Sequence, residues 1–391
     1  MTDAVILSAC RTAIGTAYRG SLTETDAFVL AEAVVVDALR RSGLDAADVD
    51  DVVLGEGLYG GGVVARHAAI TAGLVDVPGL AVNRHCAAGL SAVQTAAANI
   101  AAGMSTAVVA GGTNSQSTAP FSRHRTPGTE DWVDMWLPPT HPETPDAPTM
   151  DMSITVGWNT AVEAGISRED QDAWALRSHQ RAIAAIDEGR FVDEIVPMKI
   201  TRKDGEVVSW EVDEHPRRGS TAERLASLPP LHPEIEGFSV TAGNAAGLND
   251  GAAALLVASG ELARQREIEP LATVRSWASV GVAPARTGMA PIDAIPKALS
   301  LAGLSVADVA LFEINEAFAS VSVASSRALG IDEEVVNVSG SGCSLGHPVA
   351  ATGARMLVTL IHELRRRGGG IGVAAMCAGG GMGSATVIEV A

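Results

Sequence analysis

Short apolar runs alternate with helical patterns through the first third of the chain. The runs have the length and the Val content of strands: AVILSAC (4–10), DVVLGEG (51–57), AVNR (81–84) and AVVAGG (107–112). Helical spacing extends from Asp26 to Arg41, where Gly43 stops it, and resumes after Cys86. Strand and helix alternation of this kind predicts a mostly parallel sheet covered by helices.

The C-terminal third shows the same alternation. Its predicted elements are LATVRSWASVG (271–281), a helix from Pro291 to Ala302, DVALFEIN (308–315), a helix from Glu316, VVNV (335–338), a helix to Arg367, and GIGVAAMC (370–377). Three segments also match the first third in order: GLDAADVDDVVLGE with GLSVADVALFEINE, AVNRHCAAG with VVNVSGSG, and VVAGGTNS with AAMCAGGGMG. Ordered matches of this kind predict a duplicated α/β unit.

The segment between the halves has a different character. It is Pro-rich from Pro120 to Pro148, helical through ISREDQDAWALRSHQRAIAAIDEGRF, and then charged and poor in strand patterns. Insertions of this kind usually cover a site on the core. We therefore predict an N-terminal half from 1–119 and 246–266, an inserted domain from 120–245, and a C-terminal half from 267–391.

Composition narrows the class of protein. With 391 residues, of which 47% are hydrophobic, the chain can build two or three packed domains. The N-terminus MTDAVILSACRTAIG has no basic run before its apolar stretch, so we expect an unexported, cytoplasmic protein with no membrane span. The formal charge of -18 disfavours nucleic acid and anionic membranes, and an anionic ligand would need local basic clusters.

Such clusters lie in the insertion, at 123–125, 202–203 and 217–218. The four cysteines have no paired CxxC spacing, which predicts neither a disulfide scaffold nor a metal site. Thiol chemistry remains open.

Cys86 stands where a strand pattern stops and an Ala-rich helix begins. The helix is indicated by the spacing of Leu90, Val93, Ala97 and Ile100. A helix N-terminus favours an anion, so a thiol there can ionise below its free pKa of about 8.5 and act as a nucleophile. Isolated cysteines in apolar settings more often serve packing, and this stretch alone leaves both interpretations open.

Three Gly-rich turns in the C-terminal half carry further polar groups: EINEAF with Asn315, GSGCSLGHPVAATGAR with His347, and AAMCAGGGMG with Cys377. Singly they are explained by a helix N-cap, a turn and a hairpin. If the halves are duplicates, the Cys86 and His347 loops occupy equivalent positions at the carboxyl ends of strands, where ligands of α/β sheets bind. They would then form a nucleophile and base pair beside a second thiol, and Gly379 would let an N–H approach an oxyanion.

Over essentially its whole length the chain resembles the thiolases. The family's motifs appear in family order as NRHCAAGL, GISREDQDAWALRSHQRA, GRFVDEIVP, GNAAGLNDGAA, NEAFA, GHPVAATGAR and CAGGGMG. The resemblance implies an α/β fold of two duplicated halves, whose mixed five-stranded sheets pack in α/β/α/β/α layers. It also implies an inserted loop domain that covers a coenzyme A (CoA) site.

Carried over residue by residue, the resemblance implies that Cys86 forms the acyl-enzyme and His347 takes its proton. Cys377 would be the acid/base at the acetyl-CoA alpha carbon. Asn315, through a water, and His347 would polarise one thioester oxygen. The N–H groups of Cys86 and Gly379 would form the second oxyanion hole. The reaction implied is cleavage of 3-ketoacyl-CoA by CoA, or its reverse, and we favour the degradative direction of fatty-acid β-oxidation.

The resemblance implies CoA as co-substrate, no permanently bound cofactor or metal, and a homodimer or homotetramer. It places Arg217 and Thr221 near the CoA adenine, and Ala246 and Phe318 on the substrate path. Many members have a serine at the position of Ala246 that contacts the pantetheine. Thr287 stands where acetoacetyl-CoA thiolases typically have a methionine lining the acyl pocket, and the segment MDMSITVGWNTA is one residue longer than the family pattern.

Three alternatives remain. A ketosynthase-like condensing enzyme of the same superfamily would have no counterpart of Cys377. A non-catalytic acyl-CoA-binding subunit would not need Cys86, His347 and Cys377 together. A Cys/His hydrolase would leave the long insertion without a purpose.

Overall fold

The structure is a computed structural model that describes residues 3–57, 59 and 63–391. Its first part contains β1 (Ala4–Arg11), β2 (Gly15–Thr16), α1 (Ala27–Ser42), β3 (Asp51–Glu56), α2 (Val64–Thr71), β4 (Gly79–Val82), α3 (Ala88–Ala101) and β5 (Ala107–Asn114). The middle contains β6 (Arg123–Arg125), β7 (Trp132–Asp134), α4 (Asn159–Ala164), α5 (Arg168–Asp187), β8 (Met198–Thr201), β9 (Val207–Trp210) and α6 (Ala222–Ala226).

The last part begins with a long strand that returns to the first sheet. Its elements are β10 (Asn249–Ser259), α7 (Gly260–Gln265), β11 (Ala272–Gly281), α8 (Ala290–Leu301), β12 (Val309–Ile314), α9 (Ala319–Leu329), α10 (Gly342–Leu345), α11 (Thr352–Arg366), β13 (Gly370–Ala378) and β14 (Met382–Val390).

Local signals set the ends of the helices. The Asp26 carboxylate accepts the N–H groups of Phe28 and Val29 and so caps α1, and Gly43 ends it with a φ of 75°. Ser167 and Asp170 form a capping box that starts α5. These boundaries agree closely with those that the sequence predicts.

The main sheet has the strand order β12-β13-β14-β11-β1-β10-β5-β3-β4. Only β3–β4, β3–β5 and β12–β13 pair in parallel among these strands, whereas β1–β10, β10–β5, β1–β11, β11–β14 and β13–β14 are antiparallel. The mostly parallel sheet expected from the alternation is therefore wrong. The reason is that β14 follows β13 by a tight turn, and β10 returns from the inserted segment to run antiparallel to both β1 and β5.

Two central helices lie between the strands of the two halves. α3 and α11 pack on each other and share one apolar cluster with the inner faces of β1, β5, β10, β13 and β14. α1 and α2 cover the outer face of one set of strands, and α8 and α9 cover the outer face of the other. This produces the five alternating layers of helices and strands.

The duplication is visible in matching local structures. The 3₁₀ turns Ala46–Asp48 and Val306–Asp308 each begin with a capping box and each lead into a parallel strand, β3 or β12. One difference concerns VVNV, predicted as a strand. Its first residue ends the 3₁₀ turn Glu333–Val335, and Val336 makes only a single bridge to Phe312. α9 also starts at Ala319, later than the predicted Glu316.

The inserted segment contains two two-stranded sheets and a π-helix, Ser153–Trp158. A π-helix accommodates an extra residue within a helical run and is frequently found at functional sites. The π-helix lies within the segment MDMSITVGWNTA and would accommodate the extra residue predicted there. Buried Arg11 ties the insertion to β1 by ion pairs to Glu194 at 2.6 Å and Asp213 at 2.8 Å.

Candidate active site

Cys86 lies two residues before α3 and is partly exposed. The chain turns sharply there, since the Ala87 and Ala88 N–H groups donate to the carbonyls of Arg84 and His85, both at 3.0 Å. His85 has a φ of 46°, a conformation that non-glycine residues seldom adopt. The turn delivers the thiol to the edge of a cavity, as the sequence predicts for a residue at this helix N-terminus.

The pKa of the Cys86 thiol is raised above its ordinary value. Burial is the larger cause, and the N–H groups of Gly379 and of Cys86 itself act against it by donating to the sulfur. The expected lowered pKa is therefore wrong, because desolvation of the thiolate outweighs the helix terminus. A neutral thiol of this kind needs a base to take its proton as it reacts.

Cys377, near the end of β13, lies close to Cys86. Burial and the charge of Cys86 both raise the pKa of the Cys377 thiol well above its ordinary range. Gly379 follows at the turn, and a Cβ built there would find Met152 Sδ as its nearest atom, at 3.7 Å. The structure thus places two thiols and the Gly379 amide together.

His347 is buried and held on two sides. Its N–H donates to Asn249 Oδ1 at 2.9 Å, and its ring Nδ1 lies 2.7 Å from Thr352 Oγ1. Its Nε2 is buried and has no hydrogen-bond partner within the described ranges. Burial, with a smaller effect of the Arg355 charge, lowers the pKa of His347 to about 4. The imidazole is therefore neutral near pH 7, as a general base must be.

Asn315 is fully buried, and neither its Oδ1 nor its Nδ2 is bonded to any group in the described part of the chain. Buried amides left without partners are rare and call for an explanation, such as an unobserved water or ligand. The residue does not cap a helix, because Phe318 holds the N-cap position of α9. Its free amide can therefore hold a water or a substrate oxygen.

The His347 loop reaches the Cys86 helix through a close glycine contact. A Cβ at Gly89, in the first turn of α3, would lie 2.6 Å from the Ala350 carbonyl oxygen. Val349 also lines the same cavity as Cys86. The duplicated loops thus face one another, as the matched segments predict.

The cavity beside Cys86 has a volume of about 260 Å³. It is lined by His85, Cys86, Leu137, Pro138, Pro139, Thr140, Thr149, Met150, Met152, Val349, Gly379 and Gly380. Cys377 lies behind it, in an apolar cluster with Val156, Phe238 and Phe318. The site therefore opens to the inserted segment on one side.

The expected CoA-binding residues fall into two groups. Arg217 is exposed and lines a separate cavity of about 360 Å³ with Ser220 and Arg224. Thr221 accepts the Arg224 N–H at 3.2 Å and caps α6, so its hydroxyl already serves the helix. The cavity at Arg217 shares no lining residue with the cavity beside Cys86.

Ala246 and Phe318 lie side by side. The Ala246 N–H donates to the Ala317 carbonyl at 3.0 Å, and Ala245 pairs with Phe318 in an isolated bridge. Since Phe318 packs with Cys377, this pair borders the inner end of the site.

The sequence alone does not identify the residues that hold the site side chains in place. Asn249 and Thr352 hold His347, although both stand in quoted motifs, GNAAGLNDG and GHPVAATG. Glu316, where the sequence predicts the start of a helix, is another such residue. Its buried carboxylate accepts bonds from Trp174 Nε1, Ser178 Oγ, Cys343 N and Asn337 Nδ2, which joins α5 to the C-terminal half.

Comparison with known proteins identifies the family. Residues 4–261 match the thiolase N-terminal domain and residues 268–390 the thiolase C-terminal domain. The chain is 43% identical to acetyl-CoA acetyltransferase of Pseudomonas aeruginosa, with 99% of each chain covered. It is 40% identical to 3-ketoacyl-CoA thiolase of Bacillus subtilis over the full length of both.

Among solved structures, acetyl-CoA acetyltransferase of Bacillus anthracis superposes with a TM-score of 0.92 at 40% identity, covering 100% of this chain and 99% of that one. The matches cover almost the whole chain, and the chain belongs to the thiolase family. It is an acyltransferase with the thiolase fold. The condensing-enzyme and binding-subunit alternatives are not favoured. Among the described residues, no helix has the length and apolar character of a membrane span.

Proposed function

We propose that the protein cleaves 3-ketoacyl-CoA with CoA through an acyl-Cys86 intermediate. The observation that carries the proposal is that Cys86 and Cys377 lie together beside the Gly379 amide, while Asn315 and His347 Nε2 keep free polar atoms. Cleavage of a 3-ketothioester by a thiol needs one sulfur to accept the acyl group and an acid/base to protonate the carbon that leaves.

In the first half-reaction His347 Nε2 takes the Cys86 proton as the sulfur attacks the 3-keto carbon. The oxyanion forms beside the N–H groups of Cys86 and Gly379, the two amides that face this sulfur. Collapse breaks the C2–C3 bond and leaves an acetyl-CoA enolate. Its oxygen is stabilised by His347 and by a water on Asn315, and Cys377 gives a proton to its carbon.

In the second half-reaction the free CoA thiol loses its proton to Cys377 and attacks the acyl-Cys86 carbonyl. His347 returns its proton to the Cys86 sulfur as that thiol leaves. Because burial keeps the pKa of His347 low and those of both thiols high, the resting site is neutral, and protons move only as bonds form.

Coenzyme A is the co-substrate in this proposal. Its anionic nucleotide end lies in the cavity at Arg217, near Thr221, and its pantetheine passes Ala246 and Phe318 to the thiols. The exposed guanidinium at Arg217 and the small side chain at Ala246 support this path. No serine hydroxyl is present at position 246, so the pantetheine receives no side-chain hydrogen bond from this residue.

We also infer that the protein forms a homodimer or homotetramer. β4 is the end strand of the sheet, and Leu80 on it is 42% exposed. Apolar strand edges of this kind invite pairing with another copy. Sedimentation at micromolar concentration gives the assembly state.

The decisive experiment labels the nucleophile. Mass spectrometry of the protein mixed with acetyl-CoA shows an acetyl group on Cys86, and Cys86→Ser shows none while losing at least about 1,000-fold in acetoacetyl-CoA cleavage. Cys377→Ala is acetylated at Cys86 but does not cleave the carbon-carbon bond. A stable acetyl group on a different residue contradicts the proposal.

A further inference from the structure

The cavity beside Cys86 is larger than an acetyl group requires. A methylene group fills about as much volume as a water molecule, roughly 30 Å³. The volume of about 260 Å³ therefore exceeds what the methyl of an acetyl group can fill. Leu137 and Met150 in its wall are 44% and 65% exposed, which is apolar surface that an apolar occupant would cover.

Two methionines of the wall stand on one short segment. Met150 and Met152 lie between Pro148 and the π-helix Ser153–Trp158, and both line the cavity. Met152 also packs at the edge of the cluster that contains Cys377. The position of this segment therefore sets the width of the cavity next to both thiols.

Asp151, between the two methionines, is anchored by a clip of three charged groups. His232 Nε2 lies 2.9 Å from Asp151 Oδ2, and His232 Nδ1 lies 2.7 Å from Glu234 Oε1. Ser153 Oγ joins the clip by donating to Asp151 Oδ1 at 2.6 Å. The His232 ring packs edge-on against Phe238, at 4.9 Å between ring centroids.

Both ring nitrogens face carboxylates, so both bonds are made only when the imidazole carries two protons. The charged groups that face His232 are Asp151 and Glu234, on the two segments that the clip joins. The hydrogen bond to Glu234 is the largest cause that raises the pKa of His232 above its ordinary value; the charges of Asp151 and Glu234 add to it, and desolvation opposes them.

We propose that this thiolase selects 3-ketoacyl-CoA esters with acyl chains longer than acetyl, and that the Asp151–His232–Glu234 clip holds the cavity wall that selects them. The inference rests on the proposed function, since it assigns the cavity beside the acyl-carrying thiol to the acyl chain. His232 is a positioning residue, because it acts through Asp151 and the adjacent methionines.

The clip makes chain-length selectivity depend on pH. The pKa of His232 is raised in the folded protein, so the protonated imidazole stabilises the clip fully below the unfolded pKa of about 6.5. This stabilisation is lost as pH rises through the folded pKa. Long-chain preference therefore declines as pH rises above about 6.5.

The test compares kcat/KM for 3-ketooctanoyl-CoA and acetoacetyl-CoA in thiolysis by free CoA. We expect the wild type to prefer the longer substrate about tenfold, since each buried methylene contributes favourably. His232→Gln lowers this ratio about fivefold or more and removes its decline between about pH 6.5 and 9. Taking the ratio cancels the titration of groups that act on both substrates.

Glu234→Gln is a second variant, at a side chain that is 65% exposed and so does not threaten folding. It lowers the ratio less than His232→Gln. His67→Gln, which replaces an exposed histidine on α2 that contacts Phe28, is the matched control and keeps the wild-type ratio.

The outcomes separate the two proposals. If the wild type cleaves neither substrate, the proposed function fails. If it cleaves acetoacetyl-CoA preferentially, or if both clip variants keep the wild-type ratio, the acyl-chain inference is overturned while the function stands. An equal rise in the KM for CoA with both substrates in His232→Gln would assign the clip to the CoA arm and also overturn it.

Discussion

The two halves of the molecule use the same position for different tasks. In the first half the chain passes from β4 to α3 by a short turn, and Cys86 emerges partly exposed at a cavity. In the second half the path from the bridge at Val336 to α11 is longer, includes α10, and buries His347.

The environments differ as much as the paths. Backbone N–H groups contact the Cys86 sulfur, and little free energy is needed to rearrange them. The sulfur can therefore accept a bulky acyl group. His347 is fixed by Asn249 and Thr352, so its ring presents one nitrogen in one orientation. The duplicated framework thus supplies one accessible atom to be modified and one rigid group to move protons.

Replacing the rigid group should have the largest effect. His347→Asn removes the base and one donor to the enolate oxygen, so kcat for acetoacetyl-CoA cleavage falls about 100-fold to 10,000-fold with a smaller change in KM. Thr352→Val keeps the ring but frees Nδ1, and the loss is about tenfold. Steady-state kinetics measure both, and equal losses in the two variants would contradict the separate roles.

The contact between the halves can be broken from either side. A Cβ at Gly89 would lie 2.6 Å from the Ala350 oxygen, and one at Gly353 would lie 2.5 Å from the Leu90 nitrogen. Each Gly→Ala change should cost about 1–3 kcal/mol in unfolding free energy. Gly89→Ala pushes on the His347 loop, so it also lowers kcat while Cys86 keeps its rate of alkylation by iodoacetamide.

Gly353→Ala pushes instead on the Cys86 helix and should change that alkylation rate. Gly281→Ala is the control, because a Cβ there meets no atom within 4 Å. Urea unfolding and the alkylation rate measure the two effects. If Gly281→Ala destabilised the protein as much as the others, close helix contact would not be the cause.

The smallest expected effect concerns pH and stability. The pKa of His347 is lowered to about 4, so the unfolded chain binds the extra proton first, and unfolding free energy falls as pH drops from about 6.5 towards 4. The pKa of Cys86 is raised, so its contribution to the unfolding free energy is present below the ordinary thiol pKa. That contribution is lost as pH rises above this value.

The two loops therefore titrate at opposite ends of the pH range. Relative to the wild type, His347→Asn should flatten the acid side of a plot of unfolding free energy against pH, and Cys86→Ala the alkaline side. Urea titrations across pH 4–10 provide the plot. An acid side unchanged by His347→Asn would show that the pKa of His347 is the same in the folded and unfolded protein, against this prediction.

Much of the fold could be predicted because its signals are local. Asp26 and Gly43 mark the ends of α1, and the apolar runs mark most strands, since caps and periodicity act within a few residues. The direction of β10 and β14 could not be predicted in this way, because strand direction depends on which neighbours pair across the sheet.

The residues of the candidate site also fall into those that the sequence predicts and those that it does not. Matched segments and motifs pointed to Cys86, His347 and Cys377, and their assigned roles remain predictions. The partners that hold His347 were missed, although Asn249 lies in a quoted motif, because a side-chain bond to a residue nearly a hundred positions away has no periodic signal.

The sequence by itself determined the duplicated strand-helix pattern, the family and the residue types available for thiol chemistry, because these depend on order and composition along the chain. Only the tertiary structure decided the ionisation of those residues: burial raised the pKa of Cys86 where the helix terminus alone indicated the reverse. It also decided the size of the cavity and the clip at Asp151. Desolvation and cavity volume arise from packing between distant segments, and no local pattern contains them.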